Sequence, residues 1–413
     1  MTETIEADVA VIGGGPAGLS AALALRQRGI GRVVILDRET TVGGVPRHCG
    51  HPAFGLREFH RLLTGPAYAR RLADLAGNAG LDVRVGHSVV ALGEHGHLHV
   101  TSPKGRLVVT AERVIIATGL RETPRAARLI SGDRPLGVLN TGTLQAFVYL
   151  KGLLPFRRPV VAGTELVSLS AVFTCLRAGI RPVAVVEPND RPTVRRPFDL
   201  FPTLCGIPIH YRAKIVGIVG RERVEGVRLR RADGNQDVLA CDGVLFTGQF
   251  VPESSLVRGS HLTLDPASGG PAIDQFGRCS DPTYFAAGNV LRAIETAGWS
   301  FREGLRIGGL VADDLAGRLP PATRSLRIVI GDDLKYVVPQ RLVLPLDGAG
   351  LSDLQLRVRH SITGSLTVEV DGIPVWRRRR MTTLPERRLL IPLSRFALPE
   401  RAETITIHIA GPT

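Results

Sequence analysis

The chain has 413 residues, 44% of them hydrophobic and 22% charged, with a formal net charge of +14. That composition excludes wholesale disorder, and the length calls for two or three domains rather than one core. The positive charge is carried almost entirely by arginine, because only Lys104, Lys151, Lys214 and Lys335 are lysines. With 5% aromatic residues and no basic helix or recognition motif, nucleic-acid binding is not expected. Cys49, Cys175, Cys205, Cys241 and Cys279 stand singly, so neither a zinc knuckle nor an iron–sulfur run is indicated, and no metal site is expected. The opening Met1-Thr2-Glu3-Thr4 carries no basic stretch, so a signal peptide is not expected. The uncharged run Val9–Leu25 is broken by Gly13-Gly14-Gly15-Pro16 and reads as strand, turn and helix, not as an integral membrane segment.

The first elements carry most of the information. Ala7–Ile12 is an apolar run suited to a buried parallel strand. Gly13, Gly15 and Gly18 follow with the G-x-G-x-x-G spacing, then Leu19–Gly29 with helical periodicity, then Arg32–Leu36 ending on Asp37. This is a dinucleotide-binding fingerprint in its required strand–helix–strand setting. Gly13 serves the tight turn, Gly15 close approach to a pyrophosphate, and Gly18 the packing of helix on strand. Pro16 and Ala17 open the helix, whose N–H groups face the phosphates. Asp37, with Arg38 beside it, is placed to meet a ribose.

Further along, Val114–Gly119 reads as a strand closing on Thr118-Gly119, and Tyr284–Val290 as another ending in the Gly288-Asn289 turn. With these segments the chain resembles the flavoprotein disulfide-reductase superfamily, which has two dinucleotide-binding domains. The order Gly43-Gly44-Val45-Pro46-Arg47-His48-Cys49-Gly50-His51, then Phe54-Gly55-Leu56 and Leu63–Ala69, narrows the likeness. It is similar to flavin subunits of opine oxidase, hydroxyproline dehydrogenase and hydrogen cyanide synthase complexes, and to oxidoreductases encoded beside glycerol-3-phosphate-dehydrogenase-like proteins. The resemblance spans about residues 5–320.

It implies FAD as cofactor, held by the fingerprint, by Gly44 and Arg47, by Thr118 and Gly119, and by Gly288 and Asn289. Asn289 stands where the superfamily has an aspartate that contacts the flavin ribitol. It implies a subunit of a heteromeric dye-linked or respiratory-linked dehydrogenase or oxidase acting on a small amine, amino acid or hydroxy compound, with a stand-alone NAD(P)H-dependent flavin reductase and a non-catalytic flavoprotein that stabilises a partner as the alternative readings. The location expected is cytoplasmic, with any link to the inner membrane peripheral and through the partner.

Arg158–Gly163, Leu166–Ala178 and Pro182–Glu187 repeat the strand–helix–strand layout. The turn here is Gly163-Thr164-Glu165-Leu166-Val167-Ser168, so only the first glycine survives. Glu165 sets a side chain and a negative charge where a pyrophosphate must approach. Weak or absent NAD(P)H binding is the expectation, with Glu187 left as a lone ribose candidate.

Where disulfide reductases carry a cysteine pair, this chain has Cys49 alone, so a dithiol cycle is disfavoured. Cys49 reads as a small buried residue, an inert thiol beside the flavin, or a reactive thiolate activated by His48 and Arg47. A metal set with His48, His51 and His60 has no standard spacing. His48 and His51 are proton-carrier candidates, or simply bond within the loop; with Cys49 they form the candidate catalytic set. Arg121, Arg125 and Arg128 read as phosphate or carboxylate contacts, or as a solvated loop, and Trp299 as a flavin cap or a space-filler.

The fold class expected is α/β: two Rossmann-like domains, the FAD domain split in sequence, plus a C-terminal all-β sandwich-like domain. The segments are 1–150 and 271–320 for FAD, 151–270 for the degenerate NAD(P)-like domain and 325–413 for the tail, with Leu319–Thr323 as linker. The tail alternates with period two at Leu326–Ile330, Leu354–Val358, Leu366–Val370 and Thr404–Ile409, and Asp371-Gly372 signals a hairpin. From 376 to 401 it holds eight arginines, Arg377–Arg380 among them, against Glu386 and Glu400. That segment is either a charge-protected edge strand or a docking face for an acidic partner subunit, with nucleic acid or membrane lipid as further readings.

Overall fold

The computed structural model describes residues 3–322, 324–344, 346, 350–396, 398–399 and 401–410. Met1, Thr2, Thr323 of the linker, Glu400 of the basic segment and the final three residues of the tail lie outside them. The fold is the expected mixed α/β architecture with a C-terminal β sandwich. The chain divides into two compact units. One holds residues 1–44, 69–120 and 252–413, the other residues 45–68 and 121–251. Residues 121–150, placed by sequence in the first FAD segment, therefore cluster with the second unit.

The first unit is built on a seven-stranded sheet. Its parallel part runs Asp82–Val85, Val33–Asp37, Glu3–Ile12, Gly105–Ile116, with Tyr284–Ala286 also on the last. His97–Ser102 and Ser88–Leu92 continue it antiparallel. The central strands read as unbroken apolar runs because both their faces are buried. Val9, Val11, Ile35, Val114 and Ile115 are fully or almost fully buried. The helix Pro16–Gln27 lies along the long helix Ala297–Leu315. Gly304 and Gly308 allow this: a methyl group on either would collide with the backbone at Ala17 or Ala21. The contact ties the fingerprint helix to a segment nearly three hundred residues later.

The tail belongs to the same unit. Five strands (Arg341–Val343, Ser325–Ile330, Ile405–Ala410, Ile362–Val370, Ile373–Thr383) face three (Leu334–Val338, Asp353–Val358, Leu389–Pro392). The period-two residues enclose one core, including Leu326, Leu354, Leu356, Leu366, Val368, Ile405 and Ile407. Asp371 and Gly372 form the two-residue hairpin loop, with φ of 49° and 80° as a primed turn requires. The arginine run sits on Ile373–Thr383 at the sheet edge, where Arg377, Arg378 and Arg379 are exposed. The sandwich docks through side-chain amides that read backbone. Gln275 donates to Val343 O and accepts from Val343 N, both at 2.7 Å, and Gln340 accepts from Ile273 N at 2.9 Å.

The second unit has a five-stranded parallel sheet, ordered Ile209–His210, Ala184–Val186, Pro159–Ala162, Gly243–Phe246, Val138–Asn140. The helix Leu166–Arg177 packs on it around Val161, Ala171, Val172 and Leu245. A four-stranded sheet, Gln236–Ala240, Gly226–Arg231, Ala213–Val219 and Ser131–Gly132, completes it.

Candidate functional site

The fingerprint turn has the geometry its glycines anticipate. Gly13 has a φ of 108° and receives the strand end, its N–H donating to Leu36 O at 2.8 Å. A methyl group on Gly18 would overlap Gly13 O, so the helix can lie on the strand only with glycine there. Gly15 is different. Its backbone is extended (φ −83°, ψ −175°), and a methyl group there would find only Gly44 Cα, at 3.9 Å. The space above Gly15 is open, and the first turn of the helix beside it has N–H groups without intrahelical partners. Pro16 occupies the first helical position, and Ala17 is buried under Gly288. Asp37 is buried; its Oδ2 accepts from Gly14 N at 2.7 Å and its Oδ1 from Glu39 N at 2.8 Å. Each oxygen keeps a lone pair for a further donor. Arg38 is exposed. Gly43 N donates to Gly14 O at 2.7 Å, which brings Gly44 against the turn. Thr118 Oγ1 donates to Glu253 O at 2.6 Å, and Gly119 O accepts from Glu253 N at 2.9 Å.

The Gly288-Asn289 turn is held from two sides. Gly288 N donates to Glu303 Oε2 at 2.8 Å, and Glu303 is paired with buried Arg292 at 2.7 Å. Asn289 Nδ2 donates to Glu295 O at 3.0 Å and Asn289 Oδ1 accepts from Glu295 N at 2.8 Å. Residue 289 thus spends its side chain on the protein, whereas the resemblance implied a side chain facing the ribitol. Trp299 is stacked by the guanidinium of Arg388, 3.9 Å from its ring centre, with Arg302 at 6.0 Å. Neither Glu303–Arg292 nor Arg388–Trp299 was visible in sequence spacing, because each pairs residues with no motif between them.

In the second unit, His48, Cys49 and His51 follow one another along a 3-10 turn and its exit. Cys49 is buried; its Sγ donates to Val45 O and Gln145 Oε1, both at 3.4 Å. Burial, reinforced by the charge of Glu122, pushes its thiol up to about 12. The lowering by His48 and Arg47 that a reactive thiolate needs is not realised. His51 Nδ1 donates to Pro52 O at 2.8 Å, and its ring lies 5.1 Å from that of Phe54. Burial lowers its pKa, so it is neutral at pH 7. His48 Nε2 and the Glu122 carboxylate flank Gly142. Glu122 is buried, accepts from Gly142 N at 2.7 Å, and has its pKa raised to about 7 by burial. Sequence reasoning passed over Glu122, since nothing marks a buried carboxylate in a polar stretch.

Arg125 and Arg128 direct their donors to backbone carbonyls of neighbouring loops. Arg125 donates to the carbonyls of Ile130, Ser131, Gly132 and Asp133. Arg128 donates to Thr123 O, Thr247 O and Gly248 O at 2.9, 3.1 and 2.8 Å. Both staple loops through backbone acceptors.

The second glycine turn is occupied by its own chain. The Glu165 carboxylate folds back between Gly163 and Gly248, accepts from Thr247 Oγ1 at 2.9 Å, and has its pKa raised by burial. Glu187 is buried, with Thr164 Oγ1 and the Asn189 N and Nδ2 groups donating to it, the last two at 2.8 and 2.7 Å. Among the described residues no group of three His, Cys, Asp or Glu is arranged for a metal ion, and no helix is long and apolar enough to cross a membrane.

The fold and the glycine turn together define a dinucleotide-binding flavoprotein. The profile of the pyridine nucleotide-disulphide oxidoreductase family matches residues 7–304, and the chain belongs to that family. It is an FAD-dependent oxidoreductase. Thioredoxin reductase from T. acidophilum superposes with a TM-score of 0.63 at 22% identity, over 75% of this chain and 98% of that one. L-proline dehydrogenase from P. horikoshii superposes at 0.59 and 19% identity, over 76% of this chain and 57% of that one. Bacillithiol disulfide reductase from Bacillus cereus gives 0.59 and 19%, over 76% and 100%. At these identities the likeness is one of fold. No curated protein matches the sequence.

The residues present fit FAD. The open space above Gly15, where a Cβ would stand, is the approach a pyrophosphate needs, and the helix start supplies its donors.

Proposed function

We propose that the chain is the FAD subunit of a heteromeric dehydrogenase or oxidase that takes electrons from a small amine, amino acid or hydroxy compound and passes them onward. Gly13, Gly15, Pro16, Ala17 and Gly18 hold the pyrophosphate, Asp37 and Arg38 the adenosine ribose, and Gly44, Thr118, Gly119, Gly288 and the backbone of Asn289 the rest of the cofactor. Residues 1–44, 69–120 and 252–320 act as FAD domain, 45–68 and 121–251 as a nucleotide layer without a nucleotide, and 325–413 as docking domain. FAD, when bound, supplies the two-electron acceptor. His51, neutral at pH 7, and His48 are the groups of this chain able to take up the proton that the donor releases. Cys49 stays a protonated, inert thiol.

The observation that carries this reading is the Glu165 carboxylate lying between Gly163 and Gly248. A nicotinamide dinucleotide would have to displace a carboxylate and bring its own negative charges beside it, at a cost of about 1 kcal/mol per unit charge in water and several at a protein surface. Thr164 and Asn189 already supply three donors to Glu187, which leaves it a weaker ribose acceptor than Asp37. The likeness to L-proline dehydrogenase supports an organic electron donor. The exposed Arg377–Arg379 edge is the face offered to an acidic partner subunit, and the proposed location is cytoplasmic, with any link to the inner membrane peripheral and through that partner. The thiol-reductase neighbours favour a second reading, a stand-alone NAD(P)H-dependent reductase; the single Cys49 opposes it.

The test is dye-linked turnover. Amino acids, amines and hydroxy acids are screened with an artificial acceptor, using the chain with and without proteins that co-purify with it. The proposal expects one organic donor to support turnover, more strongly with the partner present. Turnover with NADH or NADPH alone contradicts it.

A further inference from the structure

We infer that Asn289 is a positioning residue, through which the C-terminal β sandwich holds the Gly288-Asn289 turn in its cofactor-binding shape. The inference rests on that turn facing the flavin and not on the identity of the electron donor. Asn289 closes a ring with the peptide of Glu295: its amide N–H donates to Glu295 O at 3.0 Å, and its amide oxygen accepts from Glu295 N at 2.8 Å. Only a side chain that donates and accepts can do both. An aspartate would keep the second bond and turn a charged oxygen toward the Glu295 carbonyl.

The far side of the same loop is gripped by the sandwich. Arg388 Nη1 lies 3.3 Å from Glu295 Oε2, and its guanidinium covers Trp299. Arg357 Nη2 donates to Ile294 O at 2.7 Å and lies 3.7 Å from Glu295 Oε1. Tyr336 OH donates to Ala293 O at 3.4 Å. Three residues of the tail thus fix residues 293–299, and Asn289 carries that constraint to the turn. The Glu295 side chain is 8% exposed, so its pairing with the arginines is shielded from solvent competition. The tail is therefore part of the cofactor site, although none of its residues belongs to the fingerprint.

The experiment measures FAD dissociation constants of apoprotein by flavin fluorescence, together with the visible flavin spectrum and the melting temperature. The variants are Asn289→Asp, Arg388→Ala, Glu295→Gln and the double variant Asn289→Asp/Arg388→Ala. Asn289→Asp is expected to weaken FAD at least tenfold and to alter the fine structure of the flavin band. Arg388→Ala is expected to weaken it several-fold, and the double variant by less than the product of the two, because both act through Glu295. Glu295→Gln keeps the peptide ring and loses only charge, so it folds and reports a smaller loss in the same direction. FAD affinity and spectrum within twofold of wild type in Asn289→Asp and Glu295→Gln, or fully multiplicative effects, would overturn the inference. If Asn289→Asp does not fold, Glu295→Gln and Arg388→Ala decide it by the same criterion.

Discussion

Two alanine substitutions in the fingerprint turn, three residues apart, should fail in different ways. At Gly15 the backbone is extended and the nearest atom to an added methyl group is 3.9 Å away, so alanine fits the fold. It should even stabilise the apoprotein by about 0.4–1 kcal/mol through the unfolded chain. The methyl group would, however, stand in the open space over the helix start. Losing one or two charge-assisted hydrogen bonds to phosphate costs about 2–4 kcal/mol. That is roughly a 30- to 1000-fold rise in the FAD dissociation constant. At Gly18 the added methyl group would overlap Gly13 O and press on Val11 Cγ1 at 3.2 Å, so the helix must leave the strand. Gly18→Ala should therefore lose fold and cofactor together. The assay pairs calorimetric melting of apoprotein with fluorescence titration of FAD. A Gly15→Ala protein that binds FAD as tightly as wild type would refute the placement of the pyrophosphate at this turn.

The other expectations rest on single residues. Glu165→Gly with Ser168→Gly clears the second turn and should strengthen NADH binding at least tenfold by calorimetric titration; no gain would mean Glu165 is not the obstacle. Glu122 titrates at about 7 in the fold against 4.5 when unfolded, so the folded chain holds the extra proton between those values. Stability from this group is greatest below pH 4.5 and falls as pH rises to about 7, by about 3 kcal/mol. Glu122→Gln should remove that slope and raise the melting temperature at pH 8; an unchanged profile would contradict the assignment. Cys49, with its thiol pushed up to about 12, should react with iodoacetamide far more slowly than half-buried Cys205, as read by peptide mapping of the folded protein.

Much of the fold was legible because local pattern and tertiary role coincide. Val9–Ile12, the glycine turn and Asp37 describe a strand, a phosphate loop and a strand end by themselves. The tail's alternation and Asp371-Gly372 did the same for the sandwich. The notable misses concern partners far apart in sequence. Arg125 and Arg128 read either as ligand contacts or as a solvated loop because five free donors are all a sequence shows, and their donors go to loop carbonyls. Asn289 matched a motif position, but its pairing with Glu295 and the support from Arg388 depend on how the tail docks. Residues 121–150 cluster with the second unit because the strand Val138–Asn140 pairs with Gly243–Phe246, a connection that no local signal announces.

The central claim is that electrons reach this flavin from an organic donor and not from a nicotinamide. Stopped-flow absorbance of the FAD-loaded chain, mixed anaerobically with NADH and then with NADPH, tests it most directly. The account predicts that the flavin band stays oxidised on the timescale of seconds with both. Rapid bleaching by either would contradict it.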